Sequence, residues 1–422
     1  MAKIIISKPP GIEDIFPDKI SKWNFVQRTA RDVFSLHNYR EIIIPIIEYT
    51  EVFSRGLGTE TDIVSKEMFS FEDRGGRNIT LRPEGTASVV RAYVENGEYN
   101  RLSTCKFFYA GPMFRAEKPQ KGRQRQFHQL GAEIFGSKNP YYDFEIISMM
   151  YRITERLRVP DFTLLLNSIG CPECRAGYIK NLKEYFAGQS GHLCGDCLKR
   201  LDKNPLRLLD CKNNPCAELK HSAPKITSYL CVECGEHYCK VKEYLNNNNL
   251  KYTEDPYLVR GLDYYTRTTF EFVSGTLGAQ NAFAAGGRYD SLVETFGGNP
   301  TPAVGFAAGI ERILLMIEET KLQADSPDIF IIYSGDEAFK AAVVISNILR
   351  ANNISCDMDP DSKGFKAQFK KADRENSKIA VIIGENELAA KEYTVKNMKT
   401  GEQVNCNKDT IVGRINTLLK IS

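Results

Sequence analysis

Apolar residues recur at helical spacing near the start of the chain. Trp23, Val26, Ala30, Val33 and Phe34 lie three or four positions apart, which predicts a helix that Asp18 can cap and Asn38 ends. The pattern then changes. Glu41–Ile47 reads as a buried strand interrupted by Pro45, and a missing ladder donor assigns such a strand to a sheet edge or a subunit interface. From Met68 to Phe135 the short apolar runs Phe69–Phe71, Ile79–Leu81, Lys106–Ala110 and Gln129–Phe135 alternate with turns rich in Gly, Arg and Pro. Asp143–Leu157 follows as an amphipathic helix and Asp161–Ser168 as a buried strand. Cys171 to about Leu250 breaks this rhythm, being rich in Cys and Asn and poor in periodic apolar pattern. Strand character resumes over Leu258–Val273, so the segment reads as an insertion between two strands of one sheet. A long helix over Gly309–Glu319 closes a mostly antiparallel α+β domain.

Beyond a linker at Leu322–Pro327 the rhythm is strand, helix, strand, helix, strand: Asp328–Tyr333, Glu337–Ala351, Ser355–Asp357, Lys363–Asn376 and Lys378–Ile383. Alternation on that scale predicts a small α/β domain. Its second helix is basic, through Lys363, Lys366, Lys370, Lys371 and Arg374, which fits either a solvated face or a phosphate-backbone contact.

Composition narrows the function classes. The 422 residues hold 56 Lys or Arg against 53 Asp or Glu, a net charge of +3. That balance excludes a strongly basic nucleic-acid coat protein but leaves local cationic patches open. No apolar run approaches the roughly 18 residues of a membrane span, and the apolar stretch near the start is too short for a signal peptide. A cytoplasmic protein with no membrane partner is expected. Nine of the twelve cysteines fall between Cys171 and Cys239, a clustering that points in such a chain to metal rather than disulfides. Cys171, Cys174, Cys194 and Cys197 form C-x2-C-x19-C-x2-C, a spacing suited to tetrahedral zinc. Cys211, Cys216, Cys231 and Cys234 form a second candidate set, with Cys239, His192, His221 and His237 as substitutes or bystanders. Reduced thiols in an ordinary helical insert are the plainer alternative.

No P-loop, complete GxGxxG, HExxH or GxSxG motif occurs. What stands out is arginine. Arg115 follows an apolar strand, and the loop behind it carries Lys118, Lys121, Arg123 and Arg125 before the chain returns as a second strand. A cationic hairpin of this kind can clamp a triphosphate without a P-loop, because guanidinium matches phosphate oxygens bidentately. Arg312 sits in the first turn of a helix, where the dipole disfavours a cation, and follows the glycine-rich stretch Gly286–Phe306. Arg260 lies between apolar residues and the adjacent tyrosines Tyr264 and Tyr265. All three suggest an anionic ligand.

With these residues in view, the chain resembles a class II aminoacyl-tRNA synthetase, and within that class the bacterial-type histidyl enzymes. Tyr39–Gly58 resembles the first class motif, the dimer-interface helix and strand with its proline at Pro45; Phe107–Phe135 resembles the second, and Gly305–Leu315 the third. Leu81–Thr86 (LRPEGT) and Leu258–Phe272 (LVRGLDYYTRTTFEF) resemble stretches particular to the histidine-specific members. The resemblance implies a catalytic domain over 1–170 and 251–322, the Cys-rich insertion over 171–250 and an anticodon-binding domain over 328–422. It implies a homodimer that activates L-histidine with ATP and Mg and passes it to the 3' end of tRNA(His). Arg115, Arg260 and Arg312 then act on the phosphates, with Arg115 and Arg260 also facing histidine, while Glu117 and Arg123 complete the ATP site. Glu84, Gly85, Thr86 and Gln129 surround the ammonium, and Glu133, Tyr264 and Tyr265 take the imidazole. Two rivals remain at this stage: a catalytically inactive regulatory relative of the same fold, and a zinc-dependent nucleic-acid-binding protein. The three arginines and the tail argue against the first, and the histidine-type stretches against the second.

Overall fold

A computed structural model describes residues 6–59, 61–278, 281–317, 326–361 and 364–420. The chain divides into two compact units, Met1–Thr320 and Lys321–Ser422.

In the first unit the strands are β1 (Arg40–Glu41), β2 (Ile47–Tyr49), β3 (Phe69–Glu72), β4 (Asn78–Leu81), β5 (Cys105–Phe114), β6 (Gln126–Phe135), β7 (Phe162–Ser168), β8 (Thr253–Glu254), β9 (Thr266–Ser274), β10 (Ala282–Arg288) and β11 (Ala303–Gly309). Its helices are α1 (Pro17–Leu36), α2 (Thr50–Leu57), α3 (Thr86–Glu95), α4 (Tyr141–Arg156), α5 (Pro172–Ala187), α6 (Gly195–Lys203), α7 (Asn214–Leu219), α8 (Val232–Asn247), α9 (Leu292–Thr295) and α10 (Ile310–Met316). Eight strands form one sheet in the order β1-β5-β6-β11-β10-β9-β7-β8, antiparallel except for the two edge pairings β1·β5 and β7·β8. A second, three-stranded sheet runs β2-β4-β3.

Strand alternation splits the large sheet into two faces with different tasks. On β6, Leu130, Ala132 and Ile134 join Trp23, Val26, Val33 and Phe34 of α1 and Ile146, Met150 and Ile153 of α4 in one core. Gln129 and Glu133, one position out of phase, face the other way. The chain pays for that opposite face with close packing: a Cβ on Gly305, which pairs with Glu133, would stand 1.7 Å from the Glu133 Oε2, so only glycine leaves room there.

The predicted helix with Trp23 and Phe34 on its buried face forms, but it opens at Pro17 with Phe16 as its capping residue, and Asp18 sits in its first turn rather than at the cap. The predicted buried strand over Glu41–Ile47 is not one. β1 and β2 flank an irregular stretch in which Ile43 is 89% exposed, while Arg82 takes the Pro45 carbonyl. Pro45 cannot donate to a ladder, and of the isoleucines only Ile44 is buried while Ile43, Ile46 and Ile47 stay exposed. Of the predicted strand Leu258–Val273 only the part from Thr266 forms, because Leu258–Tyr265 is a loop; the chain has already touched the sheet at β8. The helix after Gly309 is also shorter than expected. It ends at Met316, where Ile317 turns to extended backbone and its carbonyl accepts from the Lys22 ammonium; Glu319 lies outside the described residues.

Residues 171–250 leave the large sheet after β7 and return at β8. The segment is helical and carries more apolar pattern than its composition suggests. Tyr178, Leu182 and Phe186 line one face of α5 and pack, with Leu208, Leu209 and Ile226, into the core shared by α3 and β5. Tyr238, Val241 and Leu245 of α8 join the core beneath α4 instead. A buried polar cluster secures that second junction, with His237 Nε2 3.1 Å and Arg288 Nη2 2.5 Å from the Asp143 carboxylate.

The second unit holds β12 (Ile329–Tyr333), α11 (Asp336–Ala351), β13 (Cys356–Met358), α12 (Phe365–Arg374), β14 (Ile379–Ile383), α13 (Glu385–Ala390), β15 (Tyr393–Asn397), β16 (Gln403–Cys406) and α14 (Ile411–Leu419). Its sheet order is β13-β12-β14-β15-β16, parallel in the first three strands and antiparallel in the last two. The alternating strands and helices up to β14 match the sequence pattern; β15 and β16 had no forecast. Lys366, Lys370 and Arg374 are exposed on α12. Lys363 and the linker residues 322–325 lie outside the described residues.

Candidate active site

The β5–β6 hairpin is the backbone of the site. Ten register pairs join Cys105↔Phe135 through Phe114↔Gln126, leaving 115–125 as the connecting loop. Arg115 emerges where the ladder ends, donates from Nε to the Pro83 carbonyl at 3.0 Å and lies 5.1 Å over the Phe127 ring. Arg123 closes back on the Glu117 carboxylate at 2.5 Å. Arg312, in the first turn of α10, donates to the Gly122 carbonyl at 2.9 Å and to the Ala282 carbonyl, which ties the hairpin loop to β10. Arg260 reaches in from the loop before β9, pairs with Glu271 and stands 5.9 Å over the Tyr265 ring.

These four arginines line a cavity of about 780 Å³ and, with Glu117, Gln129 and the small residues Ala284, Ala285 and Ala307, an adjoining recess of about 180 Å³. Their charges are held close enough to oppose one another. Burial pulls the Arg312 guanidinium below its ordinary range, and Arg123 and Arg115 pull it further. Burial lowers Arg115 as well, against the pull of Glu67, Glu117 and Glu84. Arg260 is the contrast: burial works to lower it, but Glu271 beside it more than compensates and holds it fully charged. Cations gathered at such cost make a preorganised receptor for a polyanion.

Beside them lies a second constellation. Glu84 is buried at the start of α3, where its carboxylate accepts the backbone N–H groups of Thr86 and Ala87 at 2.8 Å each. Gly85 is the capping position of that helix, and Thr86 donates from Oγ1 to Glu133 at 2.7 Å. Glu133 is fully buried, also accepts from the Tyr289 hydroxyl, and is pushed up to about 8 by burial. Tyr264 and Tyr265, with ring centroids 4.6 Å apart, cover this group, and Tyr264 packs 5.5 Å from Tyr289. Among the polar atoms buried here without a hydrogen-bond partner are Gln129 Oε1, Arg260 Nε and the Tyr109 hydroxyl. A ligand carrying its own donors and acceptors would satisfy such atoms.

Every residue singled out from the sequence for histidine or ATP therefore falls within this one region of the first unit. Sequence reasoning missed Tyr289, although it follows Arg288 in the glycine-rich stretch, and Glu271, whose strand position alone gives no sign of its pairing with Arg260. It also missed the far wall of the large cavity, formed by Lys199, Arg200, Arg207 and Lys212 of the insertion. Asp62 anchors that wall, accepting from Arg207 at 2.7 Å and Arg200 at 3.0 Å.

The cysteines group differently from their order in sequence. Cys171 and Cys174 converge with Cys231 and Cys234, and Cys194 and Cys197 with Cys211 and Cys216. The expected set Cys171, Cys174, Cys194, Cys197 is thereby corrected, and with it Cys211, Cys216, Cys231, Cys234. The reason is α5: its 16 residues make a rod about 24 Å long between the first cysteine pair and the second. Either cluster could hold a metal ion, and all twelve cysteines are free thiols.

A profile described as Histidyl-tRNA synthetase matches residues 11–173 and 209–313, and one described as Anticodon binding domain matches 328–418. The chain belongs to the histidyl-tRNA synthetase family. A histidine–tRNA ligase of Halothermothrix orenii is 50% identical over 402 residues, covering 94% of this chain and 96% of the relative. That of Natranaerobius thermophilus is 46% identical over 95% of this chain and 96% of its own. Among solved structures, the apo histidyl-tRNA synthetase of S. aureus superposes with a TM-score of 0.83 at 36% identity, over 97% of this chain and all of the other. A Bacillus halodurans structure titled as an ATP phosphoribosyltransferase regulatory subunit/histidyl-tRNA synthetase has a TM-score of 0.66 at 21% identity, covering 91% of this chain and 99% of its own. That likeness shows the shared fold alone. Within the histidyl-tRNA synthetase family, ATP is the activating nucleotide and tRNA the acceptor. No helix among the described residues is long and apolar enough to cross a membrane.

Proposed function

We propose that this chain, as a histidine–tRNA ligase, performs both half-reactions in the cavity described above, and that its cationic wall is the catalytic device. The convergence of Arg115, Arg123, Arg260 and Arg312 on one space carries the reading. The histidine carboxylate attacks the α-phosphorus of ATP, pyrophosphate leaves, and the mixed anhydride then delivers histidine to the terminal ribose of tRNA(His). Negative charge builds on the α-phosphate oxygens during attack, so fixed guanidinium groups there lower the barrier without reorganising.

Arg115, anchored on Pro83 and stacked on Phe127, is oriented towards both the α-phosphate and the amino-acid carboxylate. Arg260 meets the α-phosphate and carboxylate from the opposite side, its charge kept by Glu271. Arg312 and Arg123 receive the outer phosphates, with Glu117 setting the Arg123 geometry. Magnesium would enter on the phosphates of ATP and neutralise part of their charge. Glu117 and Glu271, two of the carboxylates that line the site, are paired to Arg123 and Arg260.

Glu84, Gly85, Thr86 and Gln129 take the histidine ammonium, while Glu133, Tyr264 and Tyr265 take the ring. A pocket whose buried polar atoms need a polar ring rejects apolar analogues strongly, because those atoms would be left unpaired. The protein works as a cytoplasmic homodimer, with Ile43, Ile46 and Ile47 as apolar surface for a second copy to cover. The catalytic domain spans 1–170 and 251–322, the insertion 171–250 and the anticodon-binding domain 328–422. Structural zinc resides in the insertion.

Exchange of labelled pyrophosphate into ATP, run with each of the twenty amino acids, tests this. Exchange with histidine alone, lost in Arg260→Ala that still folds, is the expected result. No exchange with any amino acid would overturn the reading in favour of a regulatory relative.

A further inference from the structure

The sulfur atoms of each cysteine cluster lie within 4.8 Å of one another. Four thiolates about 2.3 Å from a common zinc stand about 3.8 Å apart, the scale of the Cys171–Cys174 (3.5 Å) and Cys194–Cys211 (3.9 Å) separations. Backbone amides support both sets: Cys231 N–H donates to Cys174 Sγ at 3.0 Å, and Cys194 N–H to Cys216 Sγ at 3.2 Å. Cys171, Cys194 and Cys231 are the capping residues of α5, α6 and α8, so three of the four pairs sit where helix dipoles favour thiolate.

The two clusters differ in surroundings. The first pins the starts of α5 and α8, the two helices that leave and re-enter the large sheet. The second belongs to the cavity: Cys194 and Cys211 line it directly, and between or beside its ligands stand Lys199, Arg200, Arg207 and Lys212 on the same wall. The segment carrying these cations has no strand pairing, and Cys197 and Cys216 are buried in it along with Pro205, Arg207, Leu208 and Leu209.

We propose that the insertion holds two zinc ions per chain through crossed ligand sets, Cys171/Cys174/Cys231/Cys234 and Cys194/Cys197/Cys211/Cys216, and that the second ion fixes the cationic roof of the catalytic cavity. The zinc count and pairing stand independently of the enzyme's activity. The role of the roof rests on the cavity being the ATP and tRNA-end site. In that role the roof lines the same cavity as the four arginines, with Lys199 presented to phosphates while Asp62 holds Arg200 and Arg207 and Asp210 pairs with Lys212.

Metal content of the full-length protein, purified without chelator from zinc-replete cells, is the first measurement. Two zinc per chain, with an all-sulfur shell at about 2.3 Å by X-ray absorption, is the expected result. No zinc, or an oxygen- and nitrogen-containing shell, would overturn the proposal without any variant having to fold. Pairing is read from two quadruple serine variants. Replacing Cys171, Cys174, Cys231 and Cys234 should leave one zinc, and replacing Cys171, Cys174, Cys194 and Cys197 should leave none. Sequential pairing predicts the reverse, and that outcome would refute the crossed sets. Cys211→Ser/Cys216→Ser should retain one zinc and raise the KM for ATP in histidine-dependent exchange by at least tenfold. One zinc with unchanged exchange kinetics would refute the roof's role and leave the enzyme assignment standing.

Discussion

Glu133→Gln separates the electrostatics of the histidine pocket from its recognition. Burial holds the Glu133 carboxyl protonated up to about pH 8, against a value of 4.5 in the unfolded chain. Between those two values the folded protein binds the extra proton, so the wild-type protein loses stability as pH rises from 4.5 to 8. A shift of that size is worth up to about 5 kcal/mol, a ceiling reached only above pH 8. Glutamine has no proton to lose, but it places an amide N–H₂ where one oxygen accepted from Thr86 or Tyr289, at a cost of about 1–2 kcal/mol. The net expectation is a variant up to about 3 kcal/mol more stable than wild type at pH 8.5, an advantage that shrinks as pH falls and becomes a deficit of about 1–2 kcal/mol near pH 4.5, where wild-type Glu133 is protonated in both states. Paired thermal melts across that range, at fixed salt and protein concentration, give the difference directly, and it should amount to several degrees at the alkaline end. The same variant should lose about 1.5–3 kcal/mol of histidine recognition, tens to a hundredfold in kcat/KM for exchange. A melting difference that stays constant from pH 5 to 8.5, or that favours wild type in alkali, would refute the assignment of a buried, protonated Glu133.

Arg312→Gln should slow histidine-dependent exchange about 10²–10³-fold while leaving the melting temperature unchanged or raised, because it removes a cation that Arg115 and Arg123 oppose; a variant that unfolds instead would contradict the repulsion. Arg288→Met strands the fully buried Asp143 carboxylate, which Arg288 and His237 hold well below the ordinary range despite its burial. It should cost about 3–5 kcal/mol in urea unfolding at neutral pH, an amount that shrinks as pH falls, because burial without Arg288 raises the Asp143 carboxyl in the variant and lets it protonate in milder acid than in wild type. Charge reversal at Lys366 and Lys370 of α12 should raise the KM for tRNA in aminoacylation and flatten its salt dependence. Exchange without tRNA should be untouched, and equal losses in both assays would remove the basic helix from tRNA recognition.

Which of these features were legible in the sequence follows from how local each one is. The Trp23–Phe34 stripe, the alternation through Gln129–Phe135 and the strand–helix rhythm after Asp328 depend on neighbours a few positions away, and the folded chain keeps them. Arginine next to a strand end or in a first helical turn is likewise odd on local grounds, and so marked Arg115 and Arg312 before any contact was known. The apolar run at Ile42–Ile47 misled because hydrophobicity alone does not say whether a partner strand exists to cover it, and around Pro45 only Ile44 is buried while Ile43, Ile46 and Ile47 lie at the surface. The ion pair of Arg260 with Glu271 and the bond of Glu133 to Tyr289, 156 positions away, join residues whose nearness is decided by sheet register.

Residue types and local spacing thus determined the elements, the family and the chemistry that the conspicuous arginines and cysteines can perform. The tertiary structure alone decided which of them meet. A helix of 16 residues keeps Cys174 from Cys194, because a hydrogen-bonded rod cannot fold back on itself, while the return of the chain at α8 brings Cys231 to Cys171. The placing of the insertion's cations on the cavity that the sheet also lines, and the burial that moves the Glu133 proton, likewise exist only once distant segments come together.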